Sequence, residues 1–246
     1  MKPSLERVVP STLPAFLLLL ISCGGPPQRD GVTPGQAHMF AHFDRASEVH
    51  DALVRGELNR AKGAAEWIAT HQDPRAIPGN SAEHQARMEE SASAVSQSYH
   101  LQEATEAAAH MGRACGDCHR ANEVSPRFLI GTAPPGGSGP QAEMARHVWA
   151  SERMWEGLLG PGDHAWKSGA EALKGGWLDP QAVVSNPEDR ARIRELVQQV
   201  YTLGGQAETA SDSEARAELY GQFLNTCTEC HDLTAARIRT GTRSGE

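Results

Sequence analysis

The chain has 246 residues, enough for one large domain or two of about 100 residues each. Hydrophobic residues make up 39% and aromatic residues only 5%, in segments rich in Ala, Glu, Gln, Arg and Leu, so the composition suits helices rather than strands. The formal charge is −8, and −9 once Lys2, Glu6 and Arg7 leave with an N-terminal signal, which argues against nucleic acid or anionic lipid headgroups as partners.

Residues 1–22 read as an export signal. Lys2 and Arg7 precede an apolar run from Ala15 to Ile21 that is too short to span a bilayer. The run ends in Leu20-Ile21-Ser22-Cys23, which resembles the bacterial lipobox, in which the cysteine is acylated and becomes the mature N-terminus; the alternative is an ordinary secretory signal with a chance cysteine. Gly24 rather than Asp follows Cys23, the pattern such lipoproteins show at the outer membrane. Residues 23–35 hold "GGPPQRDGVTPG" and have no apolar period, so they read as a flexible tether between lipid and fold.

Helical stretches follow from Gln36 to Val54 and from Leu58 to His71, broken at Gly56. After the loop "DPRAIPGNS", Ser81 looks like the N-cap of a third helix reaching about Gln97, and a fourth runs from about Leu101 into Cys115. Residues 123–140, with "GTAPPGGSGP", read as an interdomain linker. Beyond them lie Gln141 to Leu159, Asp163 to Leu173, Pro187 to Leu203 and Ser211 to Cys227, with residues 236–246 as a tail.

The two halves repeat. With a constant shift of 105, Met39 meets Met144, His42 meets His147, Leu53 meets Leu158, Lys62 meets Lys167 and Glu66 meets Glu171. "CGDCH" (Cys115 to His119) and "CTECH" (Cys227 to His231) are instead 112 apart, so about seven residues are inserted in the second half, around Gly175 to Asn186. The chain is a tandem duplication, and the expected fold is all-α: two tandem up-down-up-down four-helix bundles, residues 36–122 and 141–235. With so few aromatics each unit should have a thin core.

Cysteines stand at 23, 115, 118, 227 and 230, and a lipid on Cys23 leaves none over. Two Cys-x-x-Cys pairs in an exported chain could close two small disulfide loops. Neither that idea nor a four-cysteine zinc site calls for the His after each pair, and zinc pairs usually lie about 15–20 residues apart. Cys-x-x-Cys-His is the attachment signature of c-type haem, and covalent haem accounts for cysteines, histidines and export together.

On motif position and helix count, each half resembles the cytochrome c′ family and its low-spin relatives: a four-helix bundle with Cys-x-x-Cys-His at the end of the last helix and the distal haem face supplied by the first. The resemblance implies two haems. Cys115 and Cys118 would form thioethers to the first with His119 as proximal iron ligand, and Cys227, Cys230 and His231 would repeat this in the second. The distal ligand should come early in each first helix, where Met39 and His42, or Met144 and His147, are three apart on one face. Imidazole is a strong iron ligand, so His42 and His147 are the proposed distal ligands and Met39 and Met144 the alternatives. His38 has no counterpart, because Glu143 occupies that position. His50, His71, His84, His100, His110 and His164 are expected on the surface.

The expected function is a membrane-anchored, periplasm-facing dihaem electron-transfer protein that transforms no substrate and meets redox protein partners, a basic patch on the partner suiting the acidic chain. Open distal sites would instead give nitric oxide or carbon monoxide binding, as in cytochrome c′. A dihaem peroxidase is disfavoured by the near-equivalence of the two units.

Overall fold

The computed structural model describes residues 31–73, 76–129, 131 and 133–241, with side chains as far as Thr234. The expected export signal and the expected acylation position, Cys23, lie outside the described residues. Every regular element among the described residues is helical. In the first half these are α1 (Pro34–Val54), α2 (Leu58–Thr70), a 3-10 turn (Gly79–Ser81), α3 (Ala82–Gln97) and α4 (Leu101–Ala121). In the second half they are α5 (Pro140–Leu159), α6 (Asp163–Lys174), a single turn α7 (Pro180–Val183), α8 (Pro187–Thr209) and α9 (Ser213–Gly241).

Local chemistry sets most of these ends. Thr33 and Gln36 form a reciprocal capping box around Pro34, so α1 begins two residues inside the expected tether. Gly56 closes the α1–α2 corner at φ +72°, a conformation that costs a side-chain-bearing residue energy. Asn186 accepts from the Glu188 N–H with Pro187 at the first helical position, starting α8 as expected. Ser81 is the N-cap position of α3 as expected, but it is fully buried in the 3-10 turn and its side chain makes no cap bond; its Oγ instead accepts from Asn122 Nδ2 at 2.8 Å. Both last helices run through their motifs, α4 to Ala121 and α9 to Gly241, so each Cys-x-x-Cys-His is helical throughout and the expected tail is partly helix.

Consecutive helices pack side by side: α1 on α2, α2 on α3 and α3 on α4, then α5 on α6, α6 on α8 and α8 on α9. The halves also pack on one another, α4 along α9 and α5 against α4. One hydrophobic core consequently runs through both, from Val49, Leu53 and Met111 to Trp155, Leu158, Tyr220 and Phe223. The expected thin core holds for the first half, where Ala46, Ala52, Ala61, Ala65, Ala92, Ala104, Ala108 and Ala109 fill most of the interior.

Glycines let the halves meet this closely. A Cβ on Gly112 would overlap the Trp155 ring, and one on Gly116, inside the first motif, would overlap the Leu158 carbonyl oxygen of α5. The linker is also pinned at several points. Trp149 Nε1 donates to Gly131 O at 2.7 Å, Arg146 donates to Gly137 O at 3.1 Å, and Phe128 packs on Phe43 with ring centroids 5.3 Å apart. The insertion of the second half forms α7 and delivers Leu178 and Val184 to a satellite cluster with Ile193, Leu196 and Val197.

Candidate haem sites

In the second half the repeat brings its residues together. Met144 and His147, one turn apart on α5, and Cys227, Cys230 and His231 on α9 line one cavity. Its remaining wall is nearly all apolar: Val54 from α1, Leu178 from the insertion, and Leu196, Val197 and Val200 from α8. Burial holds the His147 imidazole below its ordinary range, with Arg146 and His231 pushing the same way and Glu143 opposing. His147 is thus a neutral nitrogen donor near pH 7, facing His231 across the cavity. The Glu143 carboxylate and Arg146 guanidinium pair at the base of α5, largely buried, with the Gly176 backbone pressed against the carboxylate.

The first half is arranged differently. On α4, His119 is half-buried and its Nδ1 lies 2.7 Å from the Leu159 carbonyl oxygen at the end of α5. A carbonyl only accepts, so Nδ1 carries the proton and Nε2 keeps its lone pair, the state in which a histidine binds a metal with its orientation fixed by the second nitrogen. The histidine of the first motif is therefore held by the second half of the chain. Asn122 donates to Cys118 O at 2.9 Å and ties the end of α4 to Ser81.

His42 is buried, and its Nε2 donates to His71 O at 2.9 Å. Its lone pair is on Nδ1, which is buried without a hydrogen-bond partner. The His38 ring lies 4.2 Å away, centroid to centroid, with its Nε2 likewise buried and unpartnered. Burial lowers the proton affinity of both rings. Met39 is 38% exposed, whereas its repeat mate Met144 sits on the cavity wall.

His38 is a residue that the repeat alone passes over, and His50 is another. His71, His100 and His164 are exposed as expected and His84 and His110 half-buried, but His50 is 5% exposed, enclosed between α1, α5 and α9. The signal available in the sequence was its place in the α1 pattern, four residues after Ala46 and four before Val54 on one helical face.

The donor set at the second cavity is of the kind that could hold a haem. All four motif cysteines are free thiols rather than disulfides. Burial pushes the thiols of Cys115 and Cys227 up to about 12, so in the metal-free chain they are protonated at neutral pH. Among the described residues no group of three or more His, Cys, Asp or Glu side chains is placed to hold a metal ion by itself. A haem iron asks for only one or two protein donors, and the second cavity offers one from each side. Its free volume of about 40 Å³ is of the order of a single water's share of liquid, so the cavity would have to widen to admit a porphyrin. Comparison with protein-family models, with curated proteins and with solved structures finds no match to this chain.

Proposed function

We propose that the protein is a dihaem c-type cytochrome that carries single electrons between protein partners. The observation that carries this reading is the second-half cavity, where Cys227, Cys230 and His231 face Met144 and His147 across an apolar wall. Bound haem would supply an iron centre that gains and loses one electron. Cys115, Cys118, Cys227 and Cys230 would anchor the two groups covalently. His119 and His231 would bind iron, His119 held in its Nδ1–H form by the Leu159 carbonyl. His147 would close the second site from the distal side, with Met144 as the alternative, and the apolar wall from Leu196 to Val200 would exclude water from it. In the wider reading Cys23 bears a lipid, the protein sits on the outer membrane facing the periplasm, and its net negative charge favours redox partners with a basic face.

The mass of the purified holoprotein tests the reading. It should exceed that of the processed chain by two haems and keep that excess after denaturation. An excess of one haem or none refutes it.

A second reading, gas binding in the first half, is favoured by one observation. His42 Nε2 is engaged by His71 O and Met39 is largely exposed, so a first haem with no sixth protein ligand would be open to nitric oxide or carbon monoxide. An optical spectrum separates the two: low-spin bands from both haems for electron transfer alone, high-spin bands from the first for gas binding.

A further inference from the structure

The buried His50 belongs to a hydrogen-bonded chain that starts at the surface and ends on the wall of the second cavity. Its Nδ1 is 3.4 Å from Asp51 Oδ1, on a side chain 49% exposed, and its Nε2 is 2.9 Å from Ser151 Oγ. Ser151 Oγ is 3.2 Å from Tyr220 Oη, while the Tyr220 hydroxyl is 2.9 Å from the Ser151 carbonyl oxygen and donates to it. Ser151 and Val54, the latter one turn beyond His50 on α1, both line the cavity. The His50 ring also stacks with Trp155 and Tyr220, at centroid distances of 5.5 and 6.3 Å, which holds it in place.

The chain satisfies His50 in both charge states. With a neutral ring protonated on Nδ1, that N–H faces Asp51 and the Ser151 hydroxyl donates to Nε2. With an imidazolium, both nitrogens donate, one to Asp51 and one to Ser151 Oγ, and the Ser151 hydroxyl turns its proton to Tyr220 Oη, whose own proton stays on the Ser151 carbonyl. No buried donor is orphaned in either state. The other charged groups around it are Asp51 on α1, its carboxyl held low first by the His50 hydrogen bond and further by Arg55 and Arg60, and Glu152 on α5, its carboxyl raised by burial. On α9, burial keeps the Tyr220 phenol protonated well above its ordinary range, so it remains a donor throughout.

Resting on the reading of the second cavity as a haem site, we propose that Asp51, His50 and Ser151 form a proton inlet that couples electron uptake at that site to protonation of His50. The electron comes from a reduced one-electron donor protein and the proton from solvent past Asp51. The proton forms the second N–H bond of the imidazole, no bond breaks in the chain, and the charge of the region is unchanged. An electron placed behind an apolar wall favours a nearby positive charge, and the linkage is reciprocal: protonated His50 raises the electron affinity of the site.

The test is a spectroelectrochemical titration of the holoprotein across pH 5 to 9, repeated on a variant with Cys115→Ala and Cys118→Ala that retains the second haem alone. The electron affinity of the second site should fall up to about tenfold per pH unit through the His50 titration, the slope of one proton per electron. His50→Gln keeps an N–H for Ser151 but cannot titrate, and it should flatten that slope and leave the first site unchanged. A flat native second site, or a slope that survives His50→Gln, overturns the proposal. Should the variant not fold, proton uptake measured with a pH dye during reduction of the native protein decides, and no uptake at the second site is the overturning result. Absence of haem from the purified protein would refute the functional reading instead, and is seen in the spectrum before any titration begins.

Discussion

Gly116→Ala separates a packing role from mere helix chemistry, because the two push stability in opposite directions. Alanine in place of glycine within a helix normally stabilises by roughly 0.5–1 kcal/mol. At Gly116 the added Cβ would meet the Leu158 carbonyl oxygen of α5, a backbone atom that cannot swing aside like the end of a flexible chain. Overpacking of this kind costs about 1–3 kcal/mol, and relief by displacing the end of α5 would also stretch the 2.7 Å bond from His119 to Leu159 O. The net expectation is a loss of about 0.5–2 kcal/mol, or a midpoint lower by roughly 1–8 °C for a fold of this size, read by thermal unfolding of the protein as purified. Gly63→Ala in α2 is the control, since a Cβ there meets nothing within 4 Å. It should raise the midpoint. If Gly116→Ala stabilises as much as Gly63→Ala does, the close contact between α4 and α5 is refuted, and with it the account of how His119 is held.

His147→Ala should convert the second haem alone to a high-spin form that binds carbon monoxide at once, and Met144→Ala should leave it low-spin; the reverse pattern would assign Met144 as ligand and imply a higher reduction potential. His42→Ala should do the same in the first half only if haem binding frees His42 from His71 O, so a silent spectrum there would support an open first site. Cys23→Ser should move the protein from the membrane fraction to the soluble fraction without loss of haem, and unchanged partitioning would refute the lipid anchor. In a haem-free form with all four motif cysteines replaced, burial holds His38, His42, His110 and His147 below their ordinary pKa of 6.5. The unfolded chain then binds more protons than the folded one below that value, so the urea midpoint should fall as pH drops from 7.5 to 5, and a midpoint that rises would contradict the burial of these rings.

Helices were legible wherever local chemistry dictates them. Gly56, Pro187 and the apolar period from Leu101 mark ends and faces that need no tertiary information. The seven extra residues around Gly175 to Asn186 were found by comparing two shifts, and they do form a separate piece, α7 and its flanks. What could not be read was how the halves meet. Period and capping say which face of α4 is apolar but not that α9 and α5 cover part of it, so a core expected to divide at residues 123–140 continues through Trp155 and Tyr220. His50 was assigned to the surface because a lone polar residue usually lies there, and only its bonds to Ser151 in the other half explain its burial. Ser81 stands at the N-cap of α3 as its sequence suggests, but the partner of its hydroxyl, Asn122, is 41 residues away and is not legible locally.

Sequence repetition makes the two sites look equivalent, but their surroundings are not. The first motif carries Gly116 where the second carries Thr228, and that small difference admits α5 against α4, so that His119 finds its acceptor on the other half. Thr228 is turned inward on α9, its hydroxyl bonded to Asn225 O, and the second cavity is instead closed by the insertion through Leu178. Helix α5 consequently serves both ends of the molecule. Its first turns carry Met144 and His147 into the second cavity, and its last carbonyl, that of Leu159, orients His119 of the first motif. If haems are bound as proposed, this removes one argument against a division of labour between them, since equal motifs in unequal settings can differ in ligation and potential.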